Sequence, residues 1–148
     1  MSLKKRIWKQ ETTLDFLNSM GKDSLGEHLG IEFTEIGDDY LVAKMPVDHR
    51  TKQPFGILHG GASVVLAETL GSVASTLCIP DMTQQTAVGL EINANHLRSV
   101  RKGFVYGKVT PIRVGRSVHV WNIEISDDTG RLSAISRLTT MIIDLTSE

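Results

Sequence analysis

Apolar residues recur along this chain in two rhythms, helical and alternating, and the switches between them mark out its elements. Near the start, Leu14, Phe16, Leu17 and Met20 fall at helical spacing behind Thr12 and Thr13. Either threonine can cap a short helix that Gly21 stops. A second helical turn is expected at 24–29, ending at Gly30. Residues 31–36 and 40–47 then read as two strands about a Gly-Asp-Asp turn, the pattern of a hairpin. After a loop holding Pro54 and Gly56, residues 60–77 return to the helical period. Val64, Val65, Leu66, Ala67, Leu70, Val73, Ala74 and Leu77 leave this long helix apolar nearly all round, so it belongs inside something. Four β-like runs follow at 87–96, 104–112, 118–126 and 132–143, with turn residues between them. Connections that short favour antiparallel pairing. The expected fold is α+β, with one long buried helix and an antiparallel sheet of about six strands. It forms a single domain over 1–148, with 1–10 as an N-terminal extension.

Composition narrows the function classes. With 148 residues, 41% hydrophobic and 22% charged, the chain can bury a core without disulfides or structural metal. Cys78 is the only cysteine, which excludes an internal disulfide, a C-x-x-C pair and a Cys-rich zinc site. That matches a reducing, cytoplasmic compartment. No uncharged apolar run reaches the roughly 18 residues of a membrane span. The basic start, Met1–Arg6, lacks the apolar segment of a signal peptide. A net charge of −1 gives no ground for nucleic-acid or membrane binding, yet the sum conceals a segregated chain. Residues 10–48 carry nine acids and two lysines, and between Lys52 and Asp81 the one charged side chain is Glu68. Residues 92–123 carry six Lys/Arg and no acid.

Most motifs that carry chemistry are absent, including the P-loop, G-x-G-x-x-G and H-E-x-x-H. Gly61-Ala62-Ser63-Val64-Val65 ends in Val where a nucleophile elbow requires Gly. The five histidines lack metal-ligand spacing, so no metal is expected. What remains is Gln53-Pro54-Phe55-Gly56-Ile57-Leu58-His59-Gly60-Gly61, followed by Glu68. Paired glycines at a helix start let a ligand approach free N–H groups at the positive end of the dipole. One such donor to a developing oxyanion is worth about 2.7–4 kcal/mol in the transition state. Apolar neighbours strip solvent from the Glu68 carboxylate. Singly, His59 could merely cap the helix and Glu68 pair with an arginine. Together, the polar loop, the glycines and the isolated carboxylate favour a site. Gly60 and Glu68 are eight residues apart, roughly 12 Å along one helix. If both serve one carbonyl, the carboxylate comes from a second copy, in a homodimer with helices antiparallel across a two-fold axis.

The chain resembles the hotdog-fold acyl-CoA thioesterases, in the branch with the phenylacetate-pathway and 1,4-dihydroxy-2-naphthoyl-CoA enzymes. The residues carrying the resemblance are Met45-Pro46-Val47, Gln53-Pro54-Phe55-Gly56, Leu58-His59-Gly60-Gly61, Ala67-Glu68, the stretch 89–96 and Ser136-Arg137-Leu138. It implies a hotdog fold, a long central helix wrapped by a curved sheet, and hydrolysis of acyl-CoA or aryl-CoA thioesters without a separate cofactor, coenzyme A being part of the substrate. It further implies Glu68 as nucleophile or general base, the Gly60 N–H as oxyanion donor, His59 and Gln53 orienting thioester and water, and Ser72 in support. Phe55, Gly61 and His96 would line the substrate cleft. Arg98, Arg101, Arg113, Arg116 and Ser117 would meet the phosphates of coenzyme A. Assembly is expected to be a dimer with shared sites, paired into a homotetramer. His28, His49, His119, Trp121 and Cys78 read as surface or packing residues.

Two other classes compete with hydrolysis. A hotdog dehydratase also pairs a helix-start histidine with a helix carboxylate, but over a longer separation with a Pro-Gly segment that 59–68 lacks. A non-catalytic acyl-CoA-binding module would leave Glu68 without a purpose.

Overall fold

The structure, a computed structural model, describes residues 5–146. Its elements run α1 (Leu14–Met20), α2 (Leu25–His28), β1 (Glu32–Ile36), β2 (Leu41–Pro46), α3 (Gly60–Leu77), β3 (Gln85–His96), β4 (Phe104–Val114), β5 (Val118–Asp127) and β6 (Leu132–Asp144). Thr13 caps α1 by accepting the Phe16 N–H at 3.2 Å, and Gly21 ends it. β3 starts earlier and β4 ends later than alternation alone suggests. The ladders carry on to Gln85↔Asp144 and Val114↔His119, where pairing rather than side-chain pattern sets the limit.

All six strands pair antiparallel, in the order β1-β2-β4-β5-β6-β3. Register shifts at 33/35, 89/91, 111/113 and 125/126 mark bulges, which bend strands and help the sheet curve. Alternate residues of its inner face (Leu41, Ala43, Met45, Val105, Val109, Trp121, Ile123, Leu138) are wholly buried. Against them lies one side of α3, through Ala62, Leu66, Ala67, Leu70, Ala74 and Leu77. The expected helix wrapped by a curved sheet is the observed architecture. However, the helix is enclosed on one side only. Val64, Val65, Glu68, Thr69, Ser72 and Val73 stay half-buried on the other.

Residues 5–10 do not trail away as an extension. Trp8 is buried in the core, its indole N–H donates to Gly37 O at 2.7 Å, and its ring stacks 6.4 Å from Trp121. The Lys9 N–H donates to Leu77 O at the end of α3. Met1–Lys4 lie outside the described residues. Deeper in, Ser75 Oγ accepts from Trp121 Nε1 at 2.7 Å and lies 2.7 Å from Thr140 Oγ1 and 3.1 Å from His119 Nδ1. Burial holds the His119 imidazolium below its ordinary pKa, partly opposed by a hydrogen bond to the Gly115 backbone. Burial likewise pushes the Cys78 thiol up to about 11, which leaves it a packing residue.

The two ends of the sheet differ. β1 is five residues long, and Glu32 and Glu35 lie exposed on it. β3, at the other end, is twelve residues long and largely exposed, with Val88 37% and Leu90 55% accessible. Its outer edge carries no strand among the described residues.

Candidate active site

The polar loop is a tight, backbone-bonded structure. Lys52 and Leu58 form an antiparallel bridge, the Gln53 N–H donates to Ile57 O at 2.9 Å, and the Gly56 N–H donates to Gln53 O at 2.9 Å. The side-chain carbonyl of Gln53 accepts the Phe55 N–H, which leaves its amide NH₂ free to donate. Leu58 N–H to Val100 O and His59 N–H to Thr51 O clamp the exit into α3. Phe55 stands 86% exposed at the loop tip, apart from the lining of either cavity below.

At the start of α3, His59 is the N-cap, and its Nδ1 accepts the Gly61 N–H at 2.8 Å. That bond assigns the neutral tautomer with its proton on Nε2, facing outward as a donor. It also consumes the Gly61 N–H. Any contact of Gly61 with a ligand would thus not go through its N–H, and the His59 ring lies where a Cβ on Gly61 would be, at 2.9 Å. The Gly60 N–H, by contrast, has no partner among the described residues. A Cβ on Gly60 would sit 3.0 Å from His96 Nε2, so glycine admits the imidazole beside the free donor. Gln53, Gly60, Ser63, His96, Arg98 and Ser133 line a common cavity of about 330 Å³.

Glu68 lies two turns further on and opens into a different cavity. Its Oε1 points at β3, 2.8 Å from where a Cβ on Gly89 would be. It borders an apolar groove of about 400 Å³ between α3, the α1–α2 segment and β1, walled by Leu17, Met20, Leu25, Phe33, Val65 and Val73. Ser72 follows one turn later on the same half-buried stripe, outside the groove lining. Within one chain, the Glu68 carboxylate and the Gly60 N–H face separate spaces, as their eight-residue separation requires.

The basic block divides as well. Arg98 lines the Gly60 cavity and Arg101 is exposed in the same β3–β4 connection. Arg113, Arg116 and Ser117 sit at the β4–β5 turn, at the other end of the ladders. Paired through β6, Val118 aligns with Val88, eight residues from His96, or roughly 26 Å along the strand. The two groups cannot meet one phosphate cluster within a chain. Arg116 instead borders a cavity with Lys9, Cys78 and His119. Two further features escaped the sequence reading. Asn18 fastens α1 over the groove by accepting the Phe33 N–H at 2.7 Å and donating to Phe33 O at 3.2 Å. Thr69 shares the groove with Glu68; the stripe 65, 68, 69, 73 at helical spacing was the signal for it.

Residues 55–134, from the loop tip into β6, match the thioesterase superfamily. The chain belongs to that family. This thioesterase is 58% identical over 137 residues to the 1,4-dihydroxy-2-naphthoyl-CoA hydrolase of Escherichia coli, covering 93% of this chain and 99% of that one. It is 52% identical to the proofreading thioesterase EntH of Cronobacter turicensis, covering 93% and 98% of the two chains. Among solved structures, thioesterase HI1161 of Haemophilus influenzae superposes with a TM-score of 0.92 at 51% identity, covering 96% and 98%. The fold is thus that of the hotdog thioesterases, and the protein is a thioester hydrolase. Among the described residues, no helix of the thioesterase is long and apolar enough to cross a membrane.

Proposed function

We propose that the protein hydrolyses aryl-CoA thioesters in the cytoplasm, at sites each built from two chains. The observation that carries this is the split between the two halves of the chemistry. Glu68 walls an apolar groove and lies against β3 at Gly89, while the Gly60 N–H lies free in a separate polar cavity. A twelve-residue edge strand with exposed Val88 and Leu90 is a template for pairing. Pairing two such edges about a two-fold axis supplies each Glu68 with a partner's helix start. A dimer of such dimers is the assembly expected of this branch.

In this arrangement the acyl group fills the apolar groove and the thioester carbonyl meets the Gly60 N–H. The His59 Nε2–H and the Gln53 amide orient thioester and water. Glu68 attacks the carbonyl carbon or takes a proton from water that does so. The negative charge passes to the carbonyl oxygen, where the Gly60 N–H and helix dipole stabilise it. Where water attacks, collapse releases coenzyme A thiolate and the free acid; where Glu68 attacks, collapse expels the thiolate and leaves an acyl anhydride on Glu68, which water then cleaves to the free acid and the restored carboxylate. Arg98, which lines the Gly60 cavity, and the exposed Arg101 would meet the phosphates, and an aryl substrate is supported by the likeness to the E. coli 1,4-dihydroxy-2-naphthoyl-CoA hydrolase.

Thiol release from benzoyl-CoA and 1,4-dihydroxy-2-naphthoyl-CoA, wild type against Glu68→Gln, tests the chemistry. A fall of at least about 100-fold in kcat is expected; equal rates would defeat the assignment. Gly60→Pro removes the donor at a position where proline suits a helix. Mixing it with Glu68→Gln should recover up to about a quarter of wild-type activity, since half the dimers are mixed and each holds one intact site. No recovery in proven mixed dimers would rule out shared sites.

A further inference from the structure

We propose that Thr69 is a specificity-determining residue whose hydroxyl hydrogen-bonds a hydroxyl on the acyl group, so that the enzyme selects hydroxylated aryl thioesters over unsubstituted ones. The inference deepens the proposed function and rests on the acyl group occupying the groove beside Glu68. Four polar side chains line that groove: Asn18, Ser24, Glu68 and Thr69. Asn18 spends both ends of its amide on the Phe33 backbone, and Ser24 Oγ donates to Gly21 O at 2.5 Å. Glu68 is committed to the chemistry. Thr69 remains.

A threonine inside a helix ordinarily turns its hydroxyl back onto the carbonyl one turn earlier. Thr76 does so on this same helix, donating to Ser72 O at 2.9 Å. The Thr69 hydroxyl has no partner among the described residues, although the side chain is half-buried against apolar walls. A hydroxyl left unpaired there is costly once an apolar ligand displaces water from it, and is satisfied by a ligand that brings its own donor or acceptor. A groove of about 400 Å³ with one open polar point suits a flat apolar body bearing a hydroxyl. A site made to hydrogen-bond such a group discriminates strongly against the analogue without it.

The test measures kcat/KM for benzoyl-CoA and its 2-, 3- and 4-hydroxy derivatives with wild type, Thr69→Val and Thr69→Ser. Valine keeps the β-branched shape and removes the hydroxyl, while serine keeps the hydroxyl. Wild type should prefer at least one hydroxylated isomer to benzoyl-CoA by about tenfold, Thr69→Val should lower kcat/KM for that isomer about tenfold more than for benzoyl-CoA and so erase the preference, and Thr69→Ser should retain most of it. An unchanged preference in Thr69→Val, or an equal fall on all four esters, overturns the proposal. Failure of wild type to release thiol from any of them overturns instead the reading of the site beneath it.

Discussion

Replacing Gly89 by alanine puts a methyl group where the Glu68 carboxylate now rests, and the consequences can be worked out. The new Cβ falls 2.8 Å from Glu68 Oε1, whereas ordinary contact begins near 3.4 Å, so the carboxylate must withdraw by about 0.6 Å. The helix cannot yield in its place, because Leu66, Ala67 and Leu70 on either side of Glu68 are wholly buried. Misplacing a reacting group by about 1 Å costs on the order of 100-fold. A shift of half that size is therefore expected to cost about tenfold in kcat, or about 1.4 kcal/mol in the barrier. Stability should move the other way. Gly89 is exposed and is not among the glycines at positive φ. Alanine there should gain about 0.5–1 kcal/mol through the unfolded chain, raising Tm by roughly 1–4 °C. Thiol-release kinetics and thermal unfolding on the same preparation, with size-exclusion chromatography to check assembly, read both effects. A kcat within twofold of wild type, in a protein that elutes as wild type does, would refute the placement of Glu68 against β3. So would a lost activity that merely tracks a lowered Tm.

Other expectations follow from the buried network and the divided basic block. Ser75→Ala removes the acceptor of the Trp121 indole N–H and strands the Thr140 and His119 groups beside it. It should cost about 3 kcal/mol and lower Tm by roughly 6–12 °C, as read by circular dichroism; a shift under about 2 °C would show the network to be idle. Because burial lowers the His119 pKa, the unfolded chain binds a proton there before the native one does, and stability falls with pH from about 6.5 downward. Urea midpoints between about pH 7 and 5 should show that decline, with His119→Gln flattening it; Asp48 and Asp127, held at about 2 by hydrogen bonds from Arg50 and Thr129, lose their contribution only at lower pH. Arg98→Ala should raise KM for an acyl-CoA severalfold at low salt with kcat nearly unchanged, an effect that fades as salt screens the phosphates. Arg116→Ala, measured alongside, should leave that KM within twofold.

Local signals carried much of this protein. The caps Thr13 and His59, the stop at Gly21, the apolar repeat of 60–77 and the turns before 104 and 132 each act over a few residues, so the elements were legible along the chain. The free donor at Gly60, the isolated Glu68 and their incompatible spacing followed from helix geometry alone. What stayed hidden depended on contacts between residues far apart in sequence. That β3 crosses to pair with β6 and, among the described residues, has no strand on its other edge is a matter of strand order, which alternation does not encode. The same ladders carry Arg98 and Arg113 to opposite ends of the sheet, although fifteen positions of an unbroken basic segment join them. Trp8 reads as part of a tail until Trp121 and Gly37 close around it. The amino-acid order determined which groups could do the chemistry, since residue type and short spacing suffice for that. Only the tertiary structure decided which space each one faces, because a side chain's neighbours are set by long-range pairing and by which of its hydrogen bonds the fold has already used.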